Sequence, residues 1–147
     1  MPQYNLEDDF PNLRETAWAK TSEPDPKYNC IAWSLHDTRQ WWELLDLPIR
    51  GYYWPPGVDR DDTIESWIRV FEIHGYRICE STEAEEGYEK VAIYTRYNEP
   101  CHVARQLTSG SWTSKLGPSE DITHDTLRGL AGEAYGVIDK VLKRPRY

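Results

Sequence analysis

Cys30 and His102 are the residues of this 147-residue chain whose types and positions suit covalent chemistry. Cys30 follows Asn29 in "YNCIAWSL", where Asn29 suits the N-cap of a helix. A thiol in a first helical turn meets unpaired backbone N–H groups and the positive end of the helix dipole. Both favour the thiolate, and the same N–H groups would receive an oxyanion once it attacked a carbonyl. Acyl transfer then needs an imidazole as ion-pair partner and as proton donor to the leaving group. His102 opens "HVARQLTSGSWTSKLG", which reads as a β-hairpin turning at "TSG". The competing expectations are a small buried apolar cysteine and a strand histidine with satisfied hydrogen bonds.

A third group should orient the imidazole. With the turn centred near Ser109, residue 102 falls opposite residue 116, so the orienting side chain should come from the end of the second strand or just beyond it. Ser114, Glu120 and Asp121 qualify there, and His124 is an alternative. Asp121 is preferred because a carboxylate stabilises an imidazolium better than a hydroxyl does. Trp54, in the aromatic and proline-punctuated "GYYWPPGV", either lines a cleft or folds back to cap the core.

These residues need elements to hold them. Residues 1–28, with "DDFPN" and "SEPDPKYN", read as an extended arm, and residues 29–147 as one domain. A helix starts at Asn29 with Ile31 and Leu35 on its apolar face, and "HDTRQWWELL" continues it less regularly. A second helix begins at Asp62, with Ile64, Trp67, Ile68 and Phe71 at helical spacing, Glu65 in a capping box and Gly75 as its stop. Strands follow at "YRIC", "KVAIYTRY", the hairpin and "YGVIDKVLKRP", with a short helix in "SEDITHDTLRGLAG". Helices first and an antiparallel sheet second make an α+β fold.

Composition narrows the partners. Seventeen basic against 25 acidic residues give a net charge of −8, which argues against nucleic acid, and the basic end "KVLKRPRY" reads as a solvated tail. No run approaches the ~18 apolar residues of a membrane span. The acidic, polar N-terminus is not a signal peptide, and three cysteines without a C-x-x-C fit reduced thiols in the cytoplasm. The cysteines and histidines lack metal-site spacing, and adjacent Cys101 and His102 would point to opposite faces of a strand. No metal or cofactor is implied.

A cysteine at a helix start, a histidine opening a later strand and an acid after it resemble the order found in the papain-like cysteine peptidase superfamily. "HVARQLTSGSWTSKLG" is similar to a hairpin of some NlpC-type hydrolases at His102, Arg105, Gly110, Trp112, Lys115 and Gly117. "YNCIAWSL" resembles their helix start at Asn29, Cys30, Ala32 and Leu35. The likeness, to small uncharacterised bacterial proteins of that kind, covers about residues 27–146. It implies a papain-like core, with Ser114 where NlpC-type enzymes commonly carry a second histidine, and Asn29 or the Cys30 N–H as oxyanion donor.

The resulting expectation is a thiol hydrolase that cleaves a peptide, isopeptide or side-chain amide. Cys30 would be nucleophile, His102 acid–base partner and Asp121 orienting group, with Asn29, Trp54 and Ser114 around the substrate. The alternatives are a catalytically inactive fold serving as a protein-binding or immunity module, and an effector or toxin domain with the same site.

Overall fold

The computed structural model describes residues 5–43 and 52–146. Its centre is a seven-stranded antiparallel sheet of β1 (Trp18–Lys20), β2 (Arg77–Cys79), β3 (Tyr88–Arg96), β4 (Glu99–Gln106), β5 (Trp112–Lys115), β6 (Asp121–His124) and β7 (Val137–Pro145). The strand order is β1-β6-β5-β4-β3-β7-β2, so the fold is α+β with β3 and β4 near the middle. β3 and β4 are buried almost throughout, because apolar side chains leave both of their faces.

On one face, Val91, Ile93, Val103 and Leu142 pack under the helices α2 (Cys30–Ser34) and α3 (Ile64–Glu72). On the other, Ala92, Tyr94, Ala104 and Ile122 meet Leu6, Phe10 and Leu13. Those last three belong to α1 (Leu6–Asp9) and the 3-10 turn Pro11–Glu15 that follows it. The segment read as an extended arm therefore forms two helical turns and an edge strand. It does so because the second apolar face of the sheet needs a cover.

Three further expectations shift. α2 stops after five residues, because the His36 N–H bonds the Trp33 carbonyl and the Asp37 N–H bonds the Ala32 carbonyl. That is the double closure of a Schellman motif, with His36 at φ +63° in the position glycine usually takes. The helical continuation expected through residues 36–45 is thus absent as far as 43, and its end, with the start of the aromatic loop, lies outside the described residues. α3 is capped by Thr63, whose Oγ1 accepts the Ser66 N–H at 3.1 Å, one residue after the expected start. "SEDITHDTLRGLAG" gives β6 and a 3-10 turn, Leu127–Leu130, instead of an α-helix. Backbone pairing with β1 on one side and β5 on the other decides the strand.

Among the described residues no helix is long and apolar enough to cross a membrane.

Candidate functional site

Cys30 opens α2 behind its cap, as its neighbours require: Asn29 Oδ1 accepts the Ala32 N–H at 3.3 Å. The thiol is 8 % exposed, and burial pushes it up to about 12; hydrogen bonds from the backbone of Val103 and Ile31 act the other way without offsetting it. It belongs to the core cluster that contains Val103.

His102 precedes Val103 on β4, and consecutive strand residues point to opposite faces. Its cross-strand partner Tyr94 and its neighbour Ala104 sit in the core under the N-terminal helical turns. The structure therefore does not bring Cys30 and His102 together. The sheet lies between them, and the expected thiolate–imidazolium pair is not formed.

The imidazole has other partners. The β4–β5 register, Arg105↔Thr113 and Gln106↔Trp112, makes Ser114 a diagonal neighbour of residue 102. His102 Nε2 lies 3.0 Å from Ser114 Oγ, which lies 2.8 Å from His124 Nε2. His124 Nδ1 is 2.8 Å from the Thr126 carbonyl. A carbonyl only accepts, so Nδ1 of neutral His124 carries the proton and its Nε2 accepts from the Ser114 hydroxyl. Ser114 Oγ is then free to accept from His102 Nε2–H. The chain crosses β4, β5 and β6 with one orientation throughout. Burial holds His102 well below 6.5 and brings His124 down to about 4, so both are neutral near pH 7.

Asp121 does not join this chain. It leaves β6 on the face opposite Ile122 and His124, accepts the Tyr28 hydroxyl at 2.8 Å on Oδ2 and binds Thr21 Oγ1 through Oδ1. Burial, then the Asp121 hydrogen bond, pushes the Tyr28 hydroxyl up to about 12. Lys115 lies 4.6 Å over the Tyr28 ring and donates to the Asp25 and Gly117 carbonyls at 2.6 Å each, so this corner is a closed polar clamp.

The residues expected around a substrate are likewise engaged. Asn29 Nδ2 donates to the Trp42 carbonyl at 2.6 Å and Oδ1 accepts the Trp42 N–H at 3.2 Å, which ties α2 to the next loop. Trp54 is buried in the helix-side core with Nε1 on the Asp59 carbonyl, the core-capping alternative of the two weighed for it. Glu120 is buried with one carboxylate oxygen lacking a hydrogen-bond partner among the described residues.

Residues 19–143 match a family described as a domain of unknown function, DUF7689. The chain belongs to that family. No curated protein and no solved structure matches the chain. The DUF7689 match begins within β1 and ends within β7, so it takes in Cys30, His102, Ser114, Asp121 and His124 together.

Sequence reasoning missed Tyr135. Its ring stacks on His102 with 4.1 Å between centroids, and it lines a cavity of about 420 Å³. The available signal was one aromatic residue between Gly132 and Gly136, a loop pattern that holds a ring against a sheet. Among the described residues no three metal-ligating side chains gather.

Proposed function

We propose that the chain is a protein-binding module, not a thiol hydrolase. What supports this is the separation of Cys30 and His102 by the sheet. A buried thiol raised to about 12 has almost no thiolate near neutral pH, and no imidazole adjoins it to supply one. In this reading the likeness of "YNCIAWSL" and the hairpin to papain-like and NlpC-type enzymes is one of scaffold. His102, Ser114 and His124 hold the sheet and the Tyr135 ring in place.

The test is iodoacetamide alkylation between pH 5 and 9, read by peptide mass spectrometry, in the wild type and His102→Gln. Cys30 should stay unmodified in the folded protein, while the less buried Cys79 reacts. A Cys30 that reacts below pH 7, and loses that reactivity in His102→Gln, would overturn the proposal and restore the hydrolase.

A further inference from the structure

The basic end of the chain is not the solvated tail that its composition suggests. Arg144 lies in β7 and Arg146 just beyond it, and both are partly buried. Glu89 on β3 faces Arg144 across the β3–β7 ladder, and Arg105 on β4 pairs with Val91, two residues further along β3. Residues two apart on a strand share a face, and Val91 packs under α2 and α3. Arg105, Glu89 and Arg144 therefore form a row across three strands on the helix side of the sheet, and Arg146 reaches Glu89 from the strand end.

Glu89 is fully engaged. It accepts the Tyr76 hydroxyl at 2.7 Å and Arg144 and Arg146 at 3.3 Å each, and both of its oxygens lie 3.0 Å from His36 Nε2. Arg144 also donates to the His74 carbonyl at 3.0 Å, and Arg146 to the Tyr88 carbonyl at 3.3 Å. Arg105 differs from these two. It is 9 % exposed, its Nε donates to the Trp33 carbonyl at 3.3 Å, and its guanidinium lies 5.0 Å over the Trp33 ring. Nη1 and Nη2 make no hydrogen bond to a described residue, and neither is sealed from solvent. Stacking occupies only the face of the group, so four in-plane N–H donors remain. Burial opposes the Arg105 charge and Glu89 supports it, while Arg146 and Arg144 repel it. A guanidinium cannot shed its proton, so a buried one without a touching carboxylate calls for a counter-charge. The nearby acids do not supply it. Glu85 is held by Lys143 at 2.9 Å, and Asp37 accepts the Trp42 Nε1–H and the Arg39 N–H at 2.8 Å each. Exposed Glu86, which lines a cavity of about 320 Å³ with Arg146, still leaves three guanidinium groups in excess of the carboxylates beside them.

We propose that Arg105, backed by Arg144 and Arg146, binds the phosphate of a phosphate monoester. Two phosphate oxygens lie on the Nη1 and Nη2 edge of Arg105, while Arg144 and Arg146 add positive charge and keep their bonds to Glu89. A phosphate fits better than a carboxylate, because the uncompensated charge favours a dianion and the planar fork meets two of its three terminal oxygens. The fork is set before a ligand arrives, since Trp33 beneath it is fixed by Nε1 on Thr113 Oγ1 at 2.9 Å. The site goes beyond the binding-module reading, and the two stand or fall separately.

The experiment is an NMR titration of the full chain at neutral pH and fixed ionic strength, following backbone amides and arginine Nε–H signals. The probes are inorganic phosphate and the peptide acetyl-Ala-phosphoserine-Ala-amide. Saturable shifts should appear at residues 33, 89, 105 and 144–146. The peptide with glutamate for phosphoserine should bind the wild type at least tenfold more weakly, a comparison that needs no variant to fold. Arg105→Lys, which keeps the charge and loses the fork, should weaken phosphate binding at least tenfold. Tighter binding of the phosphopeptide than of inorganic phosphate would support the site and assign the phosphate to a protein partner. Equal binding would support it and assign the phosphate to a small molecule. Absence of saturation, shifts elsewhere, equal binding by the glutamate peptide, or unchanged binding in folded Arg105→Lys would each overturn it. If phosphate fails while Cys30 stays inert to iodoacetamide, the phosphate site falls and the binding-module reading stands.

Discussion

His102 and Tyr135 lie ring over ring, their planes 5° from parallel, so a buried imidazole bonded to Ser114 also supports the wall of a surface cavity. The hydrogen-bond chain behind that stack works only while both histidines are neutral, and from this a pH dependence follows.

The unfolded chain takes up protons near pH 6.5, whereas the fold holds His124 at about 4 and His102 well below 6.5. Their contribution to stability is complete above about pH 6.5 and is lost as pH falls from there toward 4. Urea unfolding should show a loss of about 2 kcal/mol from His124 between pH 7 and 5, with His102 acting in the same direction. Glu89 titrates in a lower window. Burial pushes it up, but hydrogen bonds from His36 and Tyr76 and the charges of His36 and Arg144 bring it down to about 2, so its contribution fades only below about pH 4.5. A flat profile from pH 7 to 5 would show that the imidazoles are solvated.

Ser114→Ala should destabilise the protein far beyond the loss of one hydroxyl. It strands His102 Nε2–H and the His124 Nε2 lone pair in a buried site, at about 1–3 kcal/mol for each. The midpoint of urea unfolding measures it. A change below about 0.5 kcal/mol would mean that water fills the gap.

Asn29→Ala should cost about 2–3 kcal/mol, from the lost cap of α2 and the lost bonds to Trp42. Asn29→Ser should recover only the cap, about 1 kcal/mol. A serine variant as stable as the wild type would show that the Trp42 bonds contribute nothing, and one no more stable than the alanine variant would show that the cap does not.

Gly136→Ala and Gly87→Ala separate strain from collision. Both glycines have positive φ, +74° and +83°, but a Cβ at 136 would lie 2.0 Å from the Thr95 carbonyl oxygen, while one at 87 meets nothing within 4 Å. Gly87→Ala should lose about 1–2 kcal/mol, and Gly136→Ala clearly more, with the amide signals of β3 disturbed. Equal losses would mean that the 132–136 loop moves aside at no cost.

Much of this was legible in the chain. The "TSG" turn set the hairpin register, so Ser114 was within reach of His102 on sequence grounds, whereas His124 lies on β6, in a segment that reads as a short helix. Which face each strand residue takes was not legible. β3 and β4 are apolar on both sides, so period-two alternation cannot tell whether His102 or Val103 points toward α2. The missing information was the second cover, Leu6, Phe10 and Leu13, in a segment whose prolines and acids suggest an arm. The end of α2 was hidden for a similar reason. His36 stands where glycine would announce a stop, and its Nε2 is 3.0 Å from the buried Glu89 carboxylate, a contact 53 residues away.

β1 contributes only three residues, yet it closes the β6 side of the sheet, pairing Trp18, Ala19 and Lys20 with His124, Thr123 and Ile122. A chain trimmed to start at residue 19, where the family match begins, would lose the Trp18 pair, leave Ala19 and Lys20 as a fraying chain end, and lose the helical turns that shield the apolar face beside it. β6 would then present bare N–H and C=O groups next to uncovered hydrocarbon, a template for another chain's strand. Residues 6–20 thus act as the molecule's guard against sheet-to-sheet aggregation, and the family boundary is a poor place to cut.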